Sequence, residues 1–95
     1  MIHVITERSL IHREINDVMR LFSEEARRAR SAVGCLSAEI LQSTKDHQVW
    51  LSCSTWSSSD HWQLWKAGQS YSEIESEIKS HLPLSEKESV FTCIR

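Results

Sequence analysis

The feature that most constrains this chain is a run of apolar side chains at helical spacing between residues 15 and 29. Their offsets from the first member are 3, 4, 7, 11 and 14, which places them on one face of a helix. Such a helix is stable in water mainly through the packing of that face, and a sheet is the expected partner. The face consists of Ile15, Val18, Met19, Phe22, Ala26 and Ala29.

Four segments have the β-branched, aromatic or alternating composition of strands. A first strand is predicted over residues 2–6, ending near Glu7 or Arg8, with Ser9 before or at the cap of the long helix. The segments "CLSAEILQS" and "QVWLSCSTW" predict a hairpin across the polar turn "TKDH", after a tight turn at Gly34 that favours a positive φ. The segment "SVFTCIR" predicts the last strand, after a charged loop "SEKE".

The second half of the chain predicts two short helices. Ser57 and Asp60 have the spacing of a capping box, so a helix is expected to begin near Ser58 and to stop near Gly68. Ser70 and Glu73 repeat the signal. Apolar positions then follow at Tyr71, Ile74, Ile78 and Leu82, and Pro83 ends the second helix.

The order strand, helix, strand, strand, helix pair, strand predicts an α+β fold of the ferredoxin-like β-α-β-β-α-β type. In that fold the helices cover one face of a four-stranded antiparallel sheet. The third strand is apolar on both faces, with Val49, Leu51 and Cys53 opposite Trp50 and Trp56. The face without helices is therefore expected to pack against a second copy of the chain, giving a homodimer.

Composition limits the classes of function. The 95 residues suit a single domain, 1–95, with a small core, and the balance of 11 basic against 13 acidic residues gives no field for nucleic acid or a membrane surface. The N-terminus lacks a basic stretch followed by an apolar run of signal-peptide length, and no apolar run is long enough to span a membrane. A cytoplasmic protein is therefore expected. The 3 cysteines lack CxxC spacing and are expected to be reduced core thiols, and the 5 histidines lack metal-ligand spacing.

Two stretches resemble a known family. "VGCLSAEILQS" (33–43) and "STWSSSDHWQLWKAGQSY" (54–71) are similar to the most recognisable segments of the antibiotic biosynthesis monooxygenase (ABM) domain. The resemblance implies a homodimeric α+β barrel with one cavity per subunit between sheet and helices. Members include cofactor-free oxygenases of phenols and quinols, haem-degrading enzymes and isomerase-like proteins, and the fold alone does not choose among them.

In the haem-degrading branch, the resemblance implies an Asn after the first strand, a Trp on the short helix and a haem-ligating His. Trp65 matches the Trp, whereas Glu7 and Glu75 stand at the Asn and His positions, and His81 lies six residues beyond. A carboxylate is a poor substitute for imidazole as a haem ligand. No cofactor is therefore expected. Glu75 has an alternative interpretation as a residue on the exposed side of its helix.

The resemblance and the strand pattern together nominate a site. Glu7 and His3 are candidates for the catalytic base or anion-orienting group, because a carboxylate at the cavity end of the first strand could be partly desolvated. The competing interpretation of Glu7 is a solvated strand end. Candidates for substrate binding are Trp65, Trp62, His61 and Phe22. Three functions remain open: an oxygenase of a small aromatic or quinol-like compound, a non-catalytic ligand-binding dimer, and a haem-binding or haem-degrading protein.

Overall fold

The structure is a computed structural model that describes residues 1–10, 15–81 and 84–94, without the side chains of Ile15, Asn16, Val18, His81, Leu84 and Ser85. Its strands are β1 (Ile2–Leu10), β2 (Cys35–Gln42), β3 (Val49–Trp56) and β4 (Leu84–Thr92), and its helices are α1 (Ile15–Arg30), α2 (Ser59–Ala67) and α3 (Gln69–His81). The strand order is β2-β3-β1-β4, and every neighbouring pair is antiparallel. This arrangement confirms the predicted α+β ferredoxin-like fold.

Two strands are longer than the sequence predicted. β1 continues through Ser9 to Leu10, so Ser9 pairs with Val49 instead of preceding the helix. β4 begins at Leu84, so the segment predicted as a charged loop is strand. The reason is that alternate charged side chains of these segments find partners on the helical side of the sheet, as described below.

The helix boundaries follow the capping signals closely. Ser58, and not Ser57, is the N-cap of α2, and its Oγ accepts a hydrogen bond from the His61 backbone N–H at 3.2 Å. Gly34 has a φ of 86°, the left-handed conformation that the turn before β2 requires. Leu82, predicted as the last apolar position of the second helix, and Pro83, predicted to end that helix, lie outside the described residues.

The core lies between the sheet and the helices in two apolar clusters. One joins Phe22 of α1 to Trp50 of β3 and Ile74 of α3, and the other joins Val4 of β1 to Trp56 of β3 and Ala26 of α1. The stripe predicted on α1 is wrong at Met19, which is 47% exposed, and it omitted Leu21, which is buried. The three cysteines are free thiols, but none is buried, which corrects the expectation of core thiols.

No helix in the described ranges is both long and apolar enough to cross a bilayer.

Candidate functional site

A cavity of about 50 Å³ lies between the helical face of the sheet and the three helices. Its floor is formed by the helix-facing residues of β1 and β3, including Thr6, Arg8 and Ser52. Its sides come from α1 and β4, and its outer wall is aromatic. The wall is formed by Trp62, Trp65 and Tyr71. The cavity therefore combines a charged floor with an aromatic wall.

Arg8 is the centre of the charged floor, and it is only 3% exposed. Its two terminal nitrogens bind both carboxylate oxygens of Glu25 in a bidentate pair, at 2.9 Å (Nη1 to Oε1) and 3.0 Å (Nη2 to Oε2). Its Nε donates to Glu86 Oε2 at 3.1 Å, and its Nη1 also donates to Ser52 Oγ at 2.7 Å. The Phe22 ring packs against the guanidinium, with 4.8 Å between Cζ and the ring centroid.

A further carboxylate, that of Glu75, approaches this group from α3. Glu75 Oε2 lies 3.6 Å from Arg8 Nη2, beyond hydrogen-bond distance, and its Oε1 lies 3.6 Å from Lys79 Nζ. The Glu75 side chain is 10% exposed, and its Oε2 has no hydrogen-bond partner within the described part of the chain. Glu25, Glu86 and Ser52 therefore take four of the five N–H donors of Arg8, and Nη2 lies too far from Glu75 for a hydrogen bond with the fifth.

The electrostatic consequences follow from this geometry. Burial by itself would lower the pKa of Arg8, but the hydrogen bond and charge of Glu25, together with Glu86, raise it above its ordinary value. Burial raises the pKa of Glu75, and the charge of Glu86 raises it further, against the opposing effect of Arg8. Arg8 therefore stays charged, whereas Glu75 holds its proton to a higher pH than an ordinary glutamate.

The aromatic wall is a connected stack. Trp65 lies on Trp56 with 6.1 Å between ring centroids and an interplanar angle of 27°, and Tyr71 meets Trp65 edge-on at 5.6 Å. Lys66 Nζ lies 5.0 Å from the centroid of Trp62 and pairs with Glu88 Oε1 at 3.0 Å. Within the described residues the indole N–H groups of Trp62 and Trp65 have no hydrogen-bond partner, although that of Trp56 donates to Ser54 Oγ at 2.9 Å.

Of the residues that the sequence nominated for substrate binding, the structure brings Trp62 and Trp65 together in the cavity wall. Phe22 lies outside the cavity lining, since it is fully buried against Trp50 and Arg8. His61 also lies outside, because its ring packs over Gly34 and its Nδ1 lies 2.7 Å from Ser58 Oγ. Both placements correct the prediction, and the reason is that His61 is one residue away from the helix face that Trp62 and Trp65 share.

Glu7 and His3 are on the opposite face of the sheet from the cavity. Glu7 is exposed, and its backbone pairs with Lys87 of β4, while His3 Nδ1 lies 3.1 Å from Thr55 Oγ1 on the same uncovered face. Side chains alternate along a strand, so the residues of β1 that face the helices are Val4, Thr6, Arg8 and Leu10. The expectation that Glu7 and His3 line the cavity is therefore corrected, and the charged residue of β1 at the cavity is Arg8.

Sequence reasoning did not nominate Arg8, Glu25 or Glu75 as site residues, and the exposed side of the helix, one of its interpretations of Glu75, is corrected by the burial of that side chain. A signal was available. Glu25 follows Phe22 by three positions in the apolar face of α1, and Glu75 follows Tyr71 by four positions in that of α3. An acidic residue inside an apolar face requires a buried cation as partner. A first strand predicted to continue to Leu10 would have placed Arg8 on its buried face, where it is the cation partner of these acidic residues.

Comparisons with known proteins bear on this site. The sequence model for antibiotic biosynthesis monooxygenase matches residues 1–76. The chain belongs to the antibiotic biosynthesis monooxygenase family. No curated protein gives a significant match. The matched range covers the whole cavity floor on β1 and β3, the aromatic wall and Glu75, and it ends before β4, which supplies Glu86 and Glu88.

Solved structures show the same fold at low sequence identity. A candidate antibiotic biosynthesis monooxygenase from Deinococcus radiodurans is 16% identical, with a TM-score of 0.89 over 100% of this chain and 94% of that chain. A mutant form of SnoaB, a cofactor-independent oxygenase from Streptomyces nogalater, is 13% identical, with a TM-score of 0.85 over 99% of this chain and 94% of that chain. At such identities the similarity establishes the fold alone. The chemistry of the site has to be inferred from the residues of this chain.

The residues around the cavity do not fit haem. The position that the resemblance assigns to the haem-ligating histidine holds Glu75, whose carboxylate lies against Arg8 and Lys79. Across the described ranges no group of three or more His, Cys, Asp or Glu residues is arranged to hold a metal ion.

Proposed function

We propose that this protein is a cofactor-independent monooxygenase of the ABM type, acting on a small aromatic, quinol-like compound in the cavity between sheet and helices. The observation that carries this proposal is the pairing of an aromatic wall, Trp62, Trp65 and Tyr71, with a buried ionisable floor around Arg8. Membership of the monooxygenase family supports the class of reaction. Aromatic side chains in a cavity wall provide a surface on which a flat ring can stack, and ionisable groups beside it can accept or donate a proton during the reaction.

The reaction asks for a substrate that supplies its own electrons. Loss of a proton from a hydroxyl of an electron-rich ring leaves an anion that dioxygen can oxidise. The substrate gives four electrons in all, so one oxygen atom becomes a new carbonyl oxygen of a quinone and the other leaves as water. The protein then has to hold the ring, exclude bulk water and handle the proton, which are roles that this cavity can fill.

Access to the cavity requires the aromatic wall to move. A volume of about 50 Å³ is well below the roughly 300–1,000 Å³ of pockets that enclose ligands of drug size. Trp62 and Trp65 belong to α2, in which no residue is fully buried. An element with so little buried surface opens at low free-energy cost. We therefore assign α2 as the wall that moves outward when substrate binds.

The uncovered face of the sheet is the proposed dimer interface. Ile5 and Leu51 lie in its two central strands, where both are half-buried, and Leu41 and Phe91 in the outer strands are 44% and 52% exposed. An apolar face of this kind is best buried against a second copy by a two-fold axis. The result would be two sheets packed face to face, with one cavity on each outer side.

A second candidate function is binding of a small aromatic ligand without turnover. The observation that favours it is the state of Arg8, all of whose nitrogens are engaged by protein acceptors. A guanidinium with four of its five N–H donors so engaged has little capacity left to stabilise an anion that forms on the substrate. Measurement of oxygen uptake separates the two functions, because a binding protein consumes none.

The test is oxygen uptake by the purified protein with a panel of mono- and bicyclic quinols and phenols. We expect sustained uptake with at least one compound, and a fall in kcat/KM of roughly tenfold or more in Trp65→Leu, because the ring loses its stacking surface. Leu64→Ala is the matched control, since Leu64 is the neighbouring residue of α2 and is 70% exposed. Uptake that is absent throughout, or unaffected by Trp65→Leu, would contradict the proposal.

A further inference from the structure

Glu75 lines an open groove on one side and lies directly behind the cavity floor on the other, where it approaches Arg8 without itself lining the cavity. Its Oε2 lies 3.6 Å from Arg8 Nη2, and Arg8 forms part of the cavity floor. On its other side Glu75 lines an open groove of about 390 Å³ with Lys66, Ser72, Ser76 and Lys79. Tyr71 lines both the cavity and the groove. Glu75 therefore lies between Arg8 of the cavity floor and the solvent in the groove.

We propose that Glu75 accepts the proton of the substrate hydroxyl and passes it to solvent through this groove. This inference rests on the proposed function and names the residue that handles the proton. In the step, the substrate O–H bond breaks, its electron pair stays on the substrate oxygen, and the proton bonds to Glu75 Oε2. No electron is transferred to or from the protein. The proton leaves afterwards to water in the groove, which restores the carboxylate.

The carboxylate of Glu75 has an acceptor oxygen that is free to take a proton, although Arg8 and Lys79 lie 3.6 Å from its two oxygens. Its Oε2 is buried and has no hydrogen-bond partner among the described residues, whereas Glu25 takes two strong hydrogen bonds from Arg8. A buried carboxylate without donors is costly, and either a proton or a ligand donor relieves that cost. Glu75 is thus the member of the group with an acceptor left open.

The surrounding charges also favour transfer of a proton to Glu75. The groups that face it from the neighbouring elements are Arg8 on β1, Glu25 on α1, Glu86 on β4 and Lys79 on its own helix. Proton transfer moves one negative charge out of this crowded set of carboxylates and onto the ring of the substrate. The carboxylate repulsion falls while the total charge of the site is unchanged, so the step needs no free cation.

Two further groups face Glu75 from the groove and the helix. Tyr71, one turn earlier on α3, has its pKa raised by burial and by the charge of Glu75, so it remains a neutral hydroxyl. Lys66 of α2 faces the groove while paired with Glu88 at 3.0 Å. Tyr71 does not compete with Glu75 for the proton near neutral pH, because it stays protonated as a phenol.

The experiment combines a titration with kinetics. The side-chain carboxyl carbon of Glu75 in the wild-type protein, assigned by NMR from the backbone, is followed from about pH 4 to about pH 9. In parallel, oxygen uptake with an active quinol is measured over the same range in the wild-type protein, in Glu75→Gln and in Glu77→Gln. Glu77 is the matched control because it is an exposed glutamate on the same helix.

The expected results are linked. Glu75 titrates above an ordinary glutamate, kcat rises with pH through the same midpoint, and Glu75→Gln lowers kcat roughly 100-fold with a small change in KM and loses that pH dependence. Glu77→Gln keeps the wild-type profile. An ordinary or lowered midpoint, measured without any variant, overturns the inference, and so does an unchanged pH profile in Glu75→Gln.

Failure of the proposed function has a different signature. Wild-type protein that consumes no oxygen with any quinol overturns that function and the catalytic role of Glu75 together, even when the carboxyl titrates with a raised midpoint. Uptake by the wild-type protein combined with an ordinary midpoint overturns the role of Glu75 alone.

Discussion

Arg8 of β1 and Glu25 of α1 form a bidentate ion pair in the middle of the core, with nitrogen to oxygen distances of 2.9 and 3.0 Å. The pair lies between the two apolar clusters, since Arg8 stands between Val4 and Leu10 along the buried side of β1. The centre of this small domain is therefore charged. The effects of substitutions and of pH on its stability are expected to differ from those in a purely apolar core.

Loss of the cation is expected to be severe. Arg8→Met leaves the carboxylates of Glu25, Glu75 and Glu86 without their shared partner, and removal of one member of a buried ion pair costs about 3–5 kcal/mol. Urea unfolding at neutral pH measures the change. The double variant Arg8→Met with Glu25→Gln should recover part of the loss, because one buried charge is removed with its partner. A loss below about 1 kcal/mol would contradict the role given to Arg8.

Stability should depend on pH through Glu75. Its pKa is raised in the folded state, mainly by burial and next by Glu86, so its contribution to stability is fully present at low pH and is lost as pH rises through the folded pKa. Glu75→Gln, which stays neutral, should match the wild type near the ordinary glutamate pKa and become more stable than it at higher pH. Thermal unfolding as a function of pH measures this. A stability difference that is flat with pH would count against the raised pKa.

Gly34 should not tolerate a side chain. Its φ is 86°, and a Cβ there would lie 2.2 Å from Cγ of His61. Left-handed backbone strain alone costs about 1–2 kcal/mol, and the overlap adds to it. Gly34→Ala is therefore expected to destabilise the protein by about 2 kcal/mol or more, measured by urea unfolding. Gly68→Ala is the control, because its closest contact is 3.3 Å and its φ is negative. Equal losses in both variants would refute this explanation.

The uncovered face of the sheet gives a prediction about assembly. Leu51 lies in a central strand of that face, opposite Glu7 of β1 and Leu41 of β2. Leu51→Arg should convert the proposed dimer to a monomer in sedimentation experiments at micromolar concentration, because a charge cannot be buried there without a partner. Leu64→Arg, at an exposed position of α2, should sediment as the wild type does. A wild-type protein that sediments as an 11.0 kDa monomer would rule out the interface.

The sequence predicted the fold well because the fold depends on periodicity. Periodicity is a local property, which can be read from residues close together in the sequence. Examples are the helical spacing from Phe22 to Ala29 and the β-branched and aromatic run around Leu51. The charged site depends on a finer property. Side chains of a strand alternate between its two faces. Because the first strand was predicted to cover only residues 2–6, the prediction did not show that Arg8, and not Glu7, faces the helices.

The aromatic part of the site was predictable for a related reason. Trp62 and Trp65 are three positions apart on a helix with a clear cap at Ser58, so their shared face follows from local structure. The meeting of Arg8 with Glu25, Glu75 and Glu86 joins four separate elements of the chain. These contacts are tertiary, so local sequence patterns do not predict them. Their only signal in the sequence is the presence of acidic residues within apolar helix faces.

The most direct test of the central claim is oxidation of an active quinol in isotopically labelled dioxygen, followed by mass spectrometry of the quinone. A cofactor-independent monooxygenase should place one labelled oxygen atom in each product molecule and the other in water, with no added reductant or metal, and Trp65→Leu should lose that product. A quinone without label, formed equally without the protein or in the Trp65→Leu variant, would contradict the assignment of this cavity as the site of oxygenation.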